Sequence, residues 1–353
     1  MHELTNNEST DQGAGMHIRE AIEKLVNRID LSEEETISVM NQIMTGEATP
    51  LQVASFLTAL RMKGEKVQEI TGAARVMREK VDRVNVKADP VLDVVGTGGD
   101  KTGTFNVSTA STFVVAGAGI TVAKHGNRSV SSQCGSADVL SALGVKVDAA
   151  KEKVEECLEK IGVGFLFAPL LHQAMKYAVQ PRREIGIRTI FNILGPLTNP
   201  AGATHQLVGI YDGKLTMLIA KVLKNLGARR AMVVHGMEGM DEISLCGPTR
   251  VSELRDGRVR NYRLTPKAVG LKRCRLDDLR GGTPQECAAI LKAVLQGEQG
   301  PRRDIVLLNS GAALYVSGAA KSIGQGIKLA AESIDSGKAR AKLDRLVEMT
   351  NAA

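Results

Sequence analysis

Tryptophan is absent from this chain, and aromatic residues make up only 3% of it. So little stacking surface argues against a platform for nucleic-acid bases. Cysteine is also scarce: Cys134, Cys157, Cys246, Cys274 and Cys287 are odd in number and show no C-x-x-C spacing. That pattern excludes a disulfide framework and a zinc knuckle, and it points to a reduced, cytoplasmic compartment. No long uncharged apolar run and no signal-peptide pattern occur, so neither a membrane span nor secretion is expected. The formal charge is +7 and the pI near 9.1, yet no block of five or more basic residues exists. Diffuse positive charge of this kind suits a small anionic substrate better than nucleic acid. Internal repeats and low-complexity segments are likewise missing.

What remains is an ordinary globular balance, 43% hydrophobic and 24% charged. A length of 353 residues gives a prior of about two domains. The most informative stretch runs from Val91 to Leu143. A β-branched run, Val91-Leu92-Asp93-Val94-Val95, breaks into Gly96-Thr97-Gly98-Gly99-Asp100-Lys101-Thr102-Gly103-Thr104. Asn106-Val107-Ser108-Thr109 then leads into a small-residue helix. A second apolar run meets Lys124-His125-Gly126-Asn127-Arg128-Ser129 and, further on, Gly135-Ser136-Ala137-Asp138. This reads as strand, glycine loop, helix start, repeated once with a basic-polar loop. Ser108, Thr109 and Ser136 are expected as N-cap hydroxyls. Helix N-termini present free N–H groups and partial positive charge, which suits phosphate. Both stock phosphate motifs fail here. Asp100 stands where a Walker A loop needs glycine before Lys-Thr, and Lys101 takes the third glycine of a dinucleotide fingerprint.

Around this centre the chain divides simply. Residues 1–15 read as a polar, flexible tail. Helical periodicity then starts at Met16, with Ile18, Ile22, Leu25, Val26 and Ile29 on one face. Ser32-Glu33-Glu34-Glu35 has the form of a capping box, and Thr49-Pro50 of a cap followed by proline at the first helical position. Four helices over residues 16–88 make a small helical domain. Residues 89–353 alternate strands and helices, which predicts an α/β domain with a mixed, mostly parallel sheet flanked by helices. A helix is expected from Arg182 to Leu194, a polar strand from Leu254 to Thr265, and three closing helices ending near Ser336.

The quoted loops, together with Arg182-Arg183-Glu184-Ile185-Gly186, Phe191-Asn192-Ile193-Leu194-Gly195-Pro196-Leu197-Thr198-Asn199-Pro200 and Gly239-Met240-Asp241-Glu242, resemble the signatures of the anthranilate phosphoribosyltransferase family. Their order and spacing cover the chain from about Met16 to near its end. The resemblance implies transfer of a phosphoribosyl group from phosphoribosyl pyrophosphate to the amine of anthranilate, with Mg²⁺ as cofactor and a homodimer as the assembly. It implies that helices from about 173–197 complete the helical domain, with the site in the cleft between domains. Phosphoribosyl pyrophosphate would be held by Gly96, Gly99, Asp100, Thr104, Asn106, Val107, Ser108 and Thr109. The second loop would add Lys124, His125, Gly126, Asn127, Arg128, Ser129, Val130, Ser131, Ser132 and Ser136. Gly96, Asn127 and Arg182 would meet anthranilate, while Ser108, Asp241 and Glu242 would hold the metal.

The chemistry is compatible with that assignment. Loss of pyrophosphate leaves cationic character on the sugar carbon, so the protein must neutralise departing charge and align the amine. No nucleophile is evident, and Lys124, Asn127 and Arg182 would position the transition state. His125 is either a proton acceptor or a hydrogen-bonded structural group. A guanidinium suits a planar carboxylate, but Arg183 is chemically equal to Arg182 and the choice rests on family position. Carboxylate oxygens suit Mg²⁺; Asp277-Asp278, equally acidic but without matching context, reads as surface. A pyrimidine nucleoside phosphorylase of this fold and a non-enzymatic nucleic-acid-binding relative are the alternatives.

Overall fold

The computed structural model describes residues 15–100, 102–129 and 133–352. Four helices come first: α1 (Ile18–Val26), α2 (Glu33–Thr45), α3 (Pro50–Lys63) and α4 (Val67–Lys80). The capping box at Ser32 forms as expected. The Glu35 amide donates to Ser32 Oγ at 3.1 Å, and the Ser32 amide donates to the Glu35 carboxylate at 2.9 Å. Thr49 and Gln52 repeat the arrangement ahead of Pro50. Glu69 lies wholly buried in this bundle, which is tolerable only because Lys63 and the amides of Leu31 and Lys66 all donate to it.

The chain then enters the α/β part. In order come β1 (Val91–Gly96), α5 (Val107–Gly117), β2 (Thr121–Gly126), α6 (Ser136–Ala142), α7 (Lys151–Ile161), β3 (Val163–Phe167) and α8 (Ala168–Leu171). Two helices follow, α9 (Lys176–Ile185) and α10 (Phe191–Leu194), then β4 (His205–Gly209), α11 (Thr216–Asn225) and β5 (Arg230–Gly236). The last elements are β6 (Thr249–Arg255), β7 (Arg258–Leu264), α12 (Pro284–Leu295), α13 (Pro301–Ser317), α14 (Ile323–Asp335) and α15 (Lys338–Asn351). The strands form one sheet of order β3-β2-β1-β4-β5-β6-β7, parallel as far as β5 and antiparallel beyond it.

Alternating side chains divide the core between the two sheet faces. Leu92 and Val94 of β1 join the larger core under α5, α13, α14 and α15, whereas Val95 points to the other face. There Val95, Val208, Ile210 and Val233 share one continuous core with α11 and the first four helices. The junction is also stitched by polar contacts. The Arg78 guanidinium on α4 donates to the carbonyls of Leu197 and Leu226 at 2.6 and 2.9 Å. α9 and α10 return to this bundle, packing on α2, α3 and α4.

Three expectations need correction. The helix expected from Arg182 to Leu194 is broken, because Gly186 adopts φ +62 and ends α9 with a left-handed cap. The polar segment after Leu254 is not one strand but half of a hairpin, β6 and β7. Asp256 and Gly257 (φ 51 and 70) make its two-residue turn, which Asp-Gly signals in sequence. The chain also continues past Ser336 into α15, whose Leu343, Leu346 and Met349 are buried beneath a heavily charged exterior.

Candidate active site

The chain runs from β1 to β2 and β3 on one side, then returns to place β4 and β5 on the other. This makes the carboxyl ends of β1 and β4 a topological switch point, where open α/β sheets form their ligand crevice. Three loops meet there: the glycine loop after β1, the turn after β4 and the acidic loop after β5.

Gly98 and Gly99 both have positive φ, 68 and 71, which side chains other than glycine's resist. The Gly98 amide donates to Asp241 Oδ2 at 2.8 Å. A Cβ on Gly96 would lie 2.6 Å from that same oxygen. Gly209, the partner of Gly96 in the parallel register, is tighter still: its Cβ would lie 1.5 Å from the Asp241 carbonyl oxygen. Gly209 is therefore part of the site, although nothing in its local sequence marks it. Asp100 accepts from the Thr102 hydroxyl at 2.6 Å and from the Asp241 amide at 3.4 Å. Thr104 Oγ1 lies 3.4 Å from Thr102 Oγ1, and Thr104 bridges to Arg280.

At the start of α5 the N-cap is Asn106, so Ser108 and Thr109 lie inside the first turn and do not cap it. The Ser108 amide donates instead to Glu242 Oε1 at 3.2 Å. The cap of α6 is likewise Gly135, not Ser136, and the Asp138 carboxylate accepts from the Gly135 and Ser129 amides at 2.9 and 3.0 Å. Thr109 Oγ1 and Ser136 Oγ are 3.1 Å apart, tying the two helix starts together. Asn106 donates to the Cys134 carbonyl at 3.1 Å, while its buried Oδ1 meets no donor among the described residues. That orphaned acceptor fits a ligand hydroxyl. Val107 is buried in the core, and Gly126 passes so close to Phe165 that a Cβ would be 2.8 Å from the ring. Asn127 and Arg128 are exposed; Asn127 Oδ1 accepts from the Arg128 amide at 2.7 Å, and Arg128 pairs with Asp138 at 2.9 Å. Val130, Ser131 and Ser132 lie outside the described residues.

Lys124 is buried at 2% exposure, beneath the site. Its ammonium donates to the Val94 carbonyl at 2.7 Å and to Ser108 Oγ at 3.4 Å. Burial lowers its pKa, and the charges of Asp93, Glu242 and Asp241 oppose that. Burial and the neighbouring Asp100 carboxylate push Asp241 up to about 7, and burial beside Asp241 raises Glu242 well above the usual range. By contrast Asp277 is exposed and paired with Arg280, as a solvated acidic pair should be. Below the loops, Asp93 is fully buried and pushed up to about 6 by burial. It is held by Asn199 at 2.8 Å and by the His125 amide at 3.2 Å.

The His125 ring turns into the protein. Its Nδ1 lies 3.1 Å from the Gly195 carbonyl and its Nε2 3.2 Å from His172 Nε2. Burial drives His125 down to about 3 and His172 to about 4, so both rings are neutral at pH 7. The two neighbouring arginines differ in their surroundings. Arg182 is half-buried over Phe191, 5.1 Å from the ring centroid, while Arg183 is exposed.

The donors suit Mg²⁺. Asp241, Glu242 and Ser108 offer hard oxygens, and burial together with neighbouring carboxylates raises the pKa values of both acidic groups. Among the described residues no three His, Cys, Asp or Glu side chains converge as a metal site. Mg²⁺ is commonly held by one or two carboxylates plus water and substrate phosphates, which is the share this site provides.

Residues 19–81 match the family model described as glycosyl transferase family, helical bundle domain, and residues 88–340 match its a/b domain. An anthranilate phosphoribosyltransferase of Geotalea uraniireducens is 56% identical over 348 residues, covering 95% of this chain and 99% of that one. One from Pelotomaculum thermopropionicum is 59% identical, covering 94% and 96%. The crystal structure of the Thermus thermophilus enzyme superposes with TM-score 0.90 at 46% identity, over 94% of this chain and 99% of that one. The Saccharomyces cerevisiae enzyme in complex with PRPP and Mg superposes with TM-score 0.86 at 29% identity, over 95% and 98%. With both halves of the family pattern matched across nearly its whole length, this chain belongs to the anthranilate phosphoribosyltransferase family.

Proposed function

We propose that this chain moves the phosphoribosyl group of phosphoribosyl pyrophosphate onto the amine of anthranilate. One observation carries the reading: the glycine loop and the start of α5 are each bonded to a member of the acidic pair, through Gly98 to Asp241 and Ser108 to Glu242. Amides and a helix N-terminus that favour phosphate thus stand against carboxylates that favour a divalent cation.

In the reaction the bond from the anomeric carbon to pyrophosphate oxygen breaks, the anthranilate nitrogen bonds to that carbon, and an amine proton leaves. Bound Mg²⁺ would neutralise charge on the departing pyrophosphate, held by Asp241, Glu242 and Ser108. The glycine-loop amides and the α5 N-terminus orient the phosphates, with Lys124 adding positive potential from below. The half-buried Arg182 guanidinium pairs with the anthranilate carboxylate, and Asn127 lies on the acceptor side. His125 is not placed to act as a base, since its two ring nitrogens face Gly195 and His172; the aniline proton passes to water or a carboxylate. The test is pyrophosphate release from phosphoribosyl pyrophosphate with Mg²⁺, with and without anthranilate. Release that needs both substrates supports the reading, and phosphate-dependent cleavage of uridine or thymidine instead overturns it.

The functional assembly is a homodimer built on the helical bundle. Val26, Leu51 and Met62 are 67%, 78% and 72% exposed, beside a groove of about 610 Å³ between α1 and α3. Exposed apolar residues gathered in this way mark protein contact. Leu51→Glu with Met62→Glu should halve the mass seen by sedimentation; an unchanged mass refutes this interface. The five free thiols support a cytoplasmic setting, and no described helix is long and apolar enough to cross a membrane.

A further inference from the structure

Arg188 belongs to none of the motifs quoted above, yet it touches the glycine loop directly. It lies in the short segment between α9 and α10 that Gly186 opens. From there its Nη2 donates to the Gly99 carbonyl. Its guanidinium also sits over Tyr211, with Cζ 4.0 Å from the ring centroid. Tyr211 is fixed to the same loop, its amide donating to Thr97 Oγ1 at 3.1 Å. The Thr97 amide in turn donates to the Gly209 carbonyl at 2.9 Å.

We infer that Arg188 is a positioning residue that holds the glycine loop in its binding shape and links it to the acceptor-side segment carrying Arg182. The inference rests on the proposed function of this site. Its physical basis is the loop's own composition. Gly98 and Gly99 adopt positive φ and carry no side chains, so the loop has little internal restraint against other conformations. It is instead gripped from outside on two sides, at the Gly98 amide by Asp241 and at the Gly99 carbonyl by Arg188. In a trans peptide the carbonyl and the following N–H point in opposite directions. Fixing the Gly99 carbonyl therefore fixes the Asp100 amide, and Asp100 is the residue whose carboxylate faces the Asp241 backbone.

The contact calls for arginine in particular. A planar guanidinium can lie on the tyrosine ring and donate to a carbonyl at once, whereas an ammonium would keep the charge and lose the stacked geometry. The link also has direction. Arg188 lies six positions after Arg182, across the Gly186 break, so the carboxylate-binding arginine and the loop clamp are on one short piece of chain.

Steady-state kinetics on the full chain test this. Arg188→Ala should raise KM for phosphoribosyl pyrophosphate roughly 10- to 100-fold, the scale of losing one charge-assisted hydrogen bond that supports a site. The fall in kcat should be smaller, and the ligand-free melting temperature should stay close to that of the parent. Arg188→Lys should fall between parent and Arg188→Ala. Tyr211→Phe keeps the ring and should behave as the parent, while Tyr211→Ala should raise the same KM. The double variant Arg188→Ala/Tyr211→Ala should be no worse than Arg188→Ala alone, because the two residues act through one contact. An unchanged KM in Arg188→Lys and Arg188→Ala, or a loss confined to melting temperature, overturns the inference. If Arg188→Ala does not fold, Arg188→Lys and Tyr211→Ala decide by the same KM criterion. A parent enzyme that releases no pyrophosphate with both substrates overturns the proposed function instead, so the two failures are distinct.

Discussion

Asp241→Asn combined with Glu242→Gln is expected to lower turnover on the order of 10³-fold, the scale of removing a charge-neutralising group from a departing phosphate. The same variant should be more stable than its parent in metal-free buffer at pH 8. In the folded chain Asp241 is pushed up to about 7 and Glu242 well above its ordinary value, chiefly by burial. A raised carboxyl pKa means that the folded state holds the proton more tightly than the unfolded one. That stabilisation is complete below the unfolded pKa and is lost as pH rises through the folded value. At pH 8 Asp241 is ionised and weakens the fold, and removing its charge should restore about 1–3 kcal/mol. Calorimetry in a chelating buffer alongside a pyrophosphate-release assay checks both halves. Turnover within tenfold of the parent, or a lower melting temperature, would sink the assignment.

The second large effect concerns His125 and His172. Both rings are buried and neutral, with pKa values driven down to about 3 and about 4 from an ordinary 6.5. Their sign is opposite to that of the acidic pair. A depressed histidine pKa means that the unfolded chain binds the proton first, so stability is lost as pH falls below 6.5. At pH 5 each ring should cost about 2 kcal/mol, or roughly 4 kcal/mol together. Asp93, Asp241 and Glu242 act in the other direction, so the raw pH profile is a sum of opposing parts. The informative quantity is the stability of the parent minus that of His125→Asn/His172→Gln, in which the carboxyl contributions cancel. From pH 7 to pH 5 this difference should fall by roughly 4 kcal/mol in denaturant titrations. A difference that stays level would mean that the rings are not buried neutral in solution.

How much of this was readable in advance depends on how local each feature is. The capping box at Ser32, the strand at Val91 and the glycine loop follow from neighbours a few residues apart, and sequence shows them directly. The acidic pair was legible only as part of a longer pattern, since Asp277-Asp278 is equally acidic and lies on the surface. Gly209 could not be found that way. Its need for glycine comes from the approach of a loop 32 positions later, set by strand register. Arg188 and Tyr211 meet for the same kind of reason. The misplaced caps have a different origin: Ser and Thr are common N-caps, but here the backbone turns two residues before Ser108, at Asn106, and one before Ser136, at Gly135. α15 was hidden by its charge, because four buried apolar positions, one of them only an alanine, are a faint signal among so many lysines and arginines.

The shared core under the sheet bears on how the molecule can be cut and how it can move. Removing everything before residue 88 would leave Val95, Val208, Ile210 and Val233 without the helices that complete their cover. It would also strip Arg78 from the two carbonyls it binds. The first four helices are thus not an appendage that could be swapped or deleted while the α/β half stays intact. The same weld keeps α4 and α11 together during a catalytic cycle. Any opening and closing around substrate must then come from pieces outside that weld, the glycine loop and the short turn at Gly186 between α9 and α10, both helices themselves being packed into the shared core. The loop carries the amides proposed to face phosphate, and the turn adjoins the arginine proposed to face the carboxylate, so the parts least held by the core lie beside both proposed substrate positions.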